Sequence, residues 1–353
     1  MDAREAGRMS PTAIGTLTVS KRFSQETVRK DWFEGMNDDR IKVLYIGGSS
    51  RTGSTLFDRL LGQIDGYFSV GELRHIWERG LGENQLCGCG TPLKECEFWR
   101  AVVGEAFGGL QNVDAKEILS LKRSVDHWRH IPRLLFNRKT ARFGQQLAAY
   151  KKILSQLYRA IQKVSGCRVI VDSSKYPSHG VILNSMPDID LYPVHLVRDS
   201  RAVAFSWQKK WLKPEITWKR EPMPNYNPFL CASEYIVMNL SLRIFKHIND
   251  RYFFLYYEDL ANNPQQMVIQ TLENLGLPYP ALPFINDHTI FLKPNHTVSG
   301  NPMRFKQGVI EIKPDIDWKM KMKRGQRSLV TTLTFPLLYN YGYVGRKKAD
   351  KGG

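Results

Sequence analysis

The chain alternates short apolar runs with longer stretches in which apolar residues recur every three or four positions. Ile41 to Ile46 is nearly continuous in apolar side chains, the pattern of a strand covered on both faces, and predicts a strand over 41–47. Small and polar residues follow from Gly48 to Thr55. Leu56, Leu60, Leu61 and Ile64 then fall at helical spacing and predict a helix over 54–64. Val169–Asp172, Leu191–Val197 and Tyr252–Tyr257 read as further short strands separated by helical patterns. This alternation predicts an α/β fold of the P-loop-like, three-layer kind, with a central parallel sheet flanked by helices. Such sheets hold ligands beyond the C-terminal ends of their strands, so the loops at Gly48, Asp172 and Arg198 are expected to gather at one site.

Between about 110 and 165 the strand pattern disappears. Leu147, Ile153, Leu154, Leu157 and Ile161 lie at helical spacing among many basic residues, which predicts a helical insertion. Pro214, Pro222, Pro224 and Pro228 mark 211–230 as a Pro-rich loop, a lid or ordered connector, with a helix expected over 230–249. Residues 1–38 are polar and read as a weakly ordered lead, 39–345 as a single domain, and 346–353 as a basic tail. The apolar runs are strand-sized rather than membrane-sized, and the first forty residues contain no apolar core of a secretory signal. The expectation is a soluble, cytoplasmic protein.

Charge adds a preference in partners. The formal net charge of +17 favours anions. The excess is concentrated from Lys122 to Lys163, where Asp126 is the acid among many Lys and Arg, and again from Lys313 to Lys351. These stretches read either as solvated faces or as a funnel for an anionic acceptor or a peripheral contact with an anionic membrane. No recognised nucleic-acid module is present, so nucleic acid is not expected as a partner. Oligomeric state is not legible here.

Five cysteines, an odd number in a long chain, point to a reducing compartment rather than a disulfide framework. Cys87-Gly88-Cys89 with Cys96 forms a cluster open to three readings: thiols of a Gly-rich loop packed under Trp99, a disulfide, or a zinc or redox site. The metal reading lacks a fourth ligand and has Cys-x-Cys in place of the usual Cys-x2-Cys. Packing is the expected reading, and no metal ligand is assigned.

The stretch Gly48-Ser-Ser-Arg51-Thr-Gly-Ser54-Thr55 has the Gly-x4-Gly frame of a phosphate-binding loop, but Ser54 stands where a nucleotide hydrolase has Lys. Backbone N–H groups at a helix start, with the hydroxyls of Ser49, Ser50, Thr52, Ser54 and Thr55, still suit a phosphate. A metal-bound triphosphate fits poorly without that Lys. The loop therefore predicts a nucleotide handled without hydrolysis.

Four ordered segments carry a resemblance. The loop Gly48–Thr55, His195-Leu-Val-Arg198-Asp-Ser-Arg-Ala-Val-Ala-Phe-Ser206-Trp207, Tyr257-Glu258-Asp259-Leu260 and Gly300-Asn301-Pro302-Met-Arg304-Phe resemble sulfotransferases that use 3′-phosphoadenosine 5′-phosphosulfate (PAPS). They span most of residues 41–320 and look like the carbohydrate and protein-tyrosine branch, which has Arg in the loop. The resemblance implies PAPS as donor, adenosine 3′,5′-bisphosphate as product, no required metal, and an acceptor hydroxyl on a carbohydrate or glycolipid.

It also implies site residues. Arg51 would bridge phosphate and sulfate oxygens while Thr52, Gly53, Ser54 and Thr55 cradle the 5′-phosphate, and Arg198 and Ser206 would grip the 3′-phosphate. Asn301 and Arg304, with Lys306, resemble the late loop that closes over the nucleotide. Lys175, in Asp172-Ser173-Ser174-Lys175, matches a Lys that stabilises the sulfuryl group in flight. Glu72 matches a catalytic base, with His75 as the competing candidate. Tyr257 to Leu260 read as structural. The alternatives are a P-loop kinase and a non-catalytic binder of anionic polymers or membranes.

Overall fold

The structure, a computed structural model, describes residues 39–136, 140–209, 212–217, 221–222 and 224–345. The N-terminal lead and the basic tail expected from sequence lie outside the described residues.

Five strands form the main sheet: β1 (Ile41–Gly47), β2 (Tyr67–Gly71), β3 (Val169–Lys175), β4 (Ile189–Val197) and β5 (Phe253–Tyr256). Their order is β2-β3-β1-β4-β5, parallel throughout. β1 lies in the middle with every residue buried, which explains its near-continuous apolar sequence. The helices in chain order are α1 (Ser54–Leu61), α2 (Glu97–Phe107), α3 (Ala115–Val125), α4 (Ile131–Leu135), α5 (Ala141–Ser165), α6 (Pro177–Asn184), α7 (Ser200–Gln208), α8 (Pro228–Leu242), α9 (Phe245–Ile248), α10 (Tyr257–Asn262), α11 (Pro264–Leu275), α12 (Trp318–Lys321) and α13 (Arg324–Asn340).

Alternate strand residues serve opposite faces. Leu44, Ile46, Val169 and Val171 share a core with Phe57 and Leu60 of α1 and with Leu260, Val268 and Leu272 of α10 and α11. Val43, Tyr45 and Ile170 pack instead with Trp99 of α2, Leu154 and Leu157 of α5, and Ile182 of α6. The expected layering of helix, parallel sheet and helix is thus present.

Several boundaries differ from the sequence expectation. β2 was not anticipated, because a short strand containing Ser69 and ending in Gly71 has little pattern of its own and is held by pairing with β3. Tyr257 opens α10 rather than closing β5, and the helix expected over 54–64 stops at Leu61 with Gly62 as its cap. The helix expected over 230–249 starts at Pro228, where Asn227 accepts from the Leu230 N–H, and divides into α8 and α9. A second, antiparallel sheet of β6 (Phe284–Asn286), β7 (Thr289–Leu292) and β8 (Gly308–Glu311) also escaped prediction. It docks Ile290 and Leu292 onto the α1 side of the core. Among the described residues, no helix is long and apolar enough to cross a membrane.

Candidate active site

The loop between β1 and α1 turns sharply at Gly53, which has a φ of 94° and faces Tyr257 so closely that a Cβ would lie 2.4 Å from the ring. Only glycine meets both demands. Arg51 and Lys175 adopt the left-handed region as well, with φ of 69° and 70°, although neither is glycine. That conformation costs about 1–2 kcal/mol for an L-residue and recurs at functional sites. Strand pairing places Lys175 opposite Gly47, so the two strained cations stand at the C-terminal ends of adjacent strands.

A cavity of about 820 Å³ opens there. Arg51, Gly53, Ser54, Thr55, Glu72, Lys175, Arg198, Ser206 and Asn301 all line it, as does His75. Thr52 does not line it: the residue is fully buried and its hydroxyl donates to the Ser49 carbonyl at 2.9 Å.

Glu72 directly follows β2, where its N–H donates to the Val298 carbonyl at 2.8 Å. Lys175 Nζ donates to Glu72 Oε1, and His75 Nε2 lies 3.8 Å from Oε2. Burial pushes the Glu72 carboxyl up, but the charges of Lys175, His75 and Arg79 outweigh it and hold the group at about 2. Burial lowers His75 to about 4, so its imidazole is neutral at pH 7. Behind the pair, Asp172 Oδ1 accepts from the Ser174 N–H at 2.8 Å and from its hydroxyl at 2.5 Å. Ser174 in turn accepts from the Arg74 N–H at 3.0 Å, so its hydroxyl braces the β3 end instead of pointing to a ligand.

Arg198 follows β4 and does not pair with Asp199. Asp199 caps α7 by accepting from the Arg201 N–H at 2.9 Å and pairs with that guanidinium at 2.6 Å. Arg198 reaches Asp315 Oδ2 at 3.2 Å, donates to the Arg51 carbonyl at 3.2 Å, and lies 4.2 Å above the Tyr257 ring. Asp315 is also 2.9 Å from Lys209 Nζ. Burial raises its carboxyl, but Lys209 and Arg198 overcome this and hold it below its ordinary value. A carboxylate thus sits between two cations at the cavity edge, where an anionic ligand would compete for them. Buried Arg198 Nε finds no acceptor among the described residues.

Arg304 corrects the sequence expectation. It is fully buried and does not line the cavity; its guanidinium donates to the Thr297 carbonyl at 2.7 Å and the Leu86 carbonyl at 2.6 Å. The residue ties two chain segments together from behind the late loop. Asn301 does line the cavity, but its side chain accepts from the Met303 N–H at 3.1 Å, and its own N–H donates to Thr55 Oγ1 at 3.3 Å. Lys306 also faces the cavity.

Glu234 on α8 was not anticipated. Its Oε1 accepts from the Ser50 N–H at 3.2 Å, and its buried Oε2 has no partner among the described residues. Burial pushes its carboxyl up to about 7, which makes it a second candidate base in the same cavity. The helix expected over 230–249 gave no sign that this carboxyl would be buried beside the loop. Trp207 lies under Arg51, 4.6 Å from ring to guanidinium, and packs on Tyr226 with centroids 4.5 Å apart. Burial lowers the Arg51 pKa.

The family model described as "Sulfotransferase family" matches residues 44–281. Among solved structures, the chain is similar to the sulfotransferase domain from the Synechococcus PCC 7002 olefin synthase, with 20% identity, a TM-score of 0.52, and coverage of 88% of this chain and 98% of that one. It is also similar to the sulfotransferase domain from the curacin biosynthetic pathway (16%, 82% and 96% covered, TM-score 0.41) and a sulfotransferase from Alicyclobacillus acidocaldarius (13%, 85% and 94%, TM-score 0.38). The first of these is close enough to establish a shared fold. No curated protein sequence matches the chain.

Proposed function

The chain belongs to the sulfotransferase family, and on that premise we propose that it transfers the sulfuryl group of PAPS to the hydroxyl of a carbohydrate or glycolipid acceptor. The observation that carries the proposal is the gathering, in one cavity, of Ser50, Arg51, Gly53, Ser54 and Thr55 from the loop, of Arg198 and Ser206, and of the Glu72–Lys175 ion pair. The loop suits a 5′-phosphosulfate at the start of α1, and Arg198 with Ser206 suits a 3′-phosphate. Its volume of about 820 Å³ accommodates both a nucleotide and part of an acceptor.

The acceptor oxygen attacks sulfur, the bond from sulfur to the bridging phosphate oxygen breaks, and adenosine 3′,5′-bisphosphate leaves with that electron pair. Negative charge builds on the bridging oxygen and is met by Arg51 and the loop N–H groups. Lys175 turns from Glu72 toward the transferring group. Glu72 then loses the main charge that holds its carboxyl near 2, becomes a stronger base, and takes the acceptor proton. The ion pair thus keeps the base ionised but weak until the donor draws Lys175 away.

A second reading assigns the proton to Glu234, favoured by its raised pKa of about 7 and its unpartnered oxygen. On the acceptor side, Trp207, Tyr226 and half-exposed Leu230 line the cavity and supply apolar faces for a sugar ring or the start of an acyl chain. The experiment is incubation with sulfur-labelled PAPS and a panel of glycans and glycolipids, read by mass spectrometry for a gained sulfate. Label transfer without PAPS binding at Arg198, or no transfer to any hydroxyl acceptor, would overturn the proposal.

A further inference from the structure

We propose that Cys87, Cys89, Cys96 and His296 hold a structural zinc ion, outside the active-site cavity and independent of which acceptor the enzyme uses. The sequence offered three thiols and no fourth ligand. The fold supplies one from a segment two hundred residues later: Cys96 Sγ lies 3.3 Å from His296 Nδ1 across a separation of 200 positions.

The spacing of the donor atoms fits a tetrahedron. All four lie within 4.8 Å of one another. Cys87 Sγ is 3.8 Å from His296 Nδ1, and Cys89 Sγ is 3.7 Å from Cys96 Sγ. Zinc bonded tetrahedrally at about 2.3 Å to sulfur and about 2.0–2.1 Å to nitrogen sets edges of about 3.8 Å between sulfurs and about 3.6 Å between sulfur and nitrogen. A disulfide requires its sulfurs about 2.05 Å apart, and all the cysteines are free. Ordinary packing does not explain the convergence either, since it gives no reason for three thiols and an imidazole from distant segments to turn their donor atoms on one another.

The surrounding chain is shaped for this approach. Cys87 and Cys89 flank a tight turn in which the Gly90 N–H donates to the Cys87 carbonyl at 2.9 Å and the Cys87 N–H to the Thr91 carbonyl at 2.8 Å. Between them, Gly88 lies so close to the later segment that a Cβ would stand 2.0 Å from Asn295 Oδ1 and 2.6 Å from Thr297 Oγ1. The Cys-Gly-Cys spacing is therefore what lets the turn press against His296, and the more common two-residue spacer is not needed. Cys96 sits just before α2, and its thiol makes no capping bond. Trp99 Nε1 donates to the His296 carbonyl at 2.8 Å, and Phe98 stacks on its imidazole at 4.9 Å, holding the ring in place. Cys87 and Cys96 are buried and Cys89 and His296 half-buried, and four protein ligands with no open position make the closed form of a structural centre. Three thiolates and an imidazole favour zinc over harder cations.

The ion would hold together the segments that brace the cavity. Two residues after His296, the Val298 N–H donates to the Val70 carbonyl at 2.8 Å and the Val298 carbonyl accepts from the Glu72 N–H at 2.8 Å. Arg79 Nη1 then donates to Ser299 Oγ at 2.5 Å. Zinc would thus clamp the Cys turn to the strand-like segment that positions Glu72.

The test uses the full chain purified without chelator. Elemental analysis is expected to return about one zinc per chain, released to a chromogenic chelator as a mercurial titrates the thiols. Cobalt(II) in place of zinc is expected to give thiolate charge-transfer and tetrahedral ligand-field bands. Cys96→Ser and His296→Ala are expected to lose the zinc, and zinc removal from the wild type to lower its melting temperature. The wild-type measurements need no variant to fold. Absence of zinc together with absence of the cobalt spectrum would overturn the proposal, as would a native Cys89–Cys96 disulfide found by peptide mapping or iron in place of zinc.

Discussion

Lys175 donates to the carboxylate of Glu72 across the cavity floor, joining the C-terminal end of β3 to the residue that follows β2. Both are buried, and Lys175 reaches the contact from a left-handed backbone conformation. The pair links a group that can accept a proton to one that can meet sulfuryl charge.

Replacing Glu72, the proposed base, should separate binding from turnover. Glu72→Gln is expected to keep adenosine 3′,5′-bisphosphate affinity within a few-fold in calorimetry and to lower kcat by at least about 100-fold. Equal loss for Glu234→Gln with Glu72→Gln unaffected would transfer the role.

The pH profile distinguishes the same two groups. With Glu72 as base, held at about 2 in the free enzyme, kcat/KM should show no acid limb above pH 5; with Glu234, at about 7, it should fall tenfold per unit below that value. Stability carries an independent signature. The Glu234 carboxyl is raised from 4.5 to about 7 on folding, so the native state binds more protons between those values and stability falls as pH rises through that window. The melting temperature of Glu234→Gln relative to wild type should therefore rise from pH 4.5 to 7 and level off above it.

Asp315 occupies Arg198 and Lys209 before any anion arrives. Arg198→Ala should weaken adenosine 3′,5′-bisphosphate binding by at least about 30-fold, as expected for truncating one partner of a buried charge pair. Asp315→Asn should leave that affinity unchanged or tighten it. A thermal-shift titration reads both, and weakened binding in Asp315→Asn would show that the carboxylate orients the guanidinium instead of competing for it.

Arg304→Met tests a structural assignment. Losing the hydrogen bonds from this buried guanidinium to the Thr297 and half-buried Leu86 carbonyls should cost about 2–4 kcal/mol in denaturant unfolding. Bisphosphate affinity of the folded variant should stay close to wild type.

Arg51 supplies a backbone test. Its φ of 69° suits glycine, so Arg51→Gly should be more stable than Arg51→Ala by about 1 kcal/mol while both lose donor binding. Reversed stabilities would remove strain from the account of this loop.

Local sequence determined the parts of this protein that depend on neighbours along the chain. The apolar run of β1, the glycine frame of the loop, and Arg198 at the end of β4 are legible because strand burial, a left-handed turn and a strand end each leave a short pattern. The layered α/β arrangement followed from the alternation of such patterns. Tertiary structure decided what depends on approach through space. β2 exists through pairing with β3, Arg304 turned inward to two carbonyls, Glu234 rose toward neutrality by burial, and His296 came to three thiols from far along the chain. Desolvation and convergence are properties of the packed interior, where residues distant in sequence set each other's charge and partners, and no window along the chain contains them.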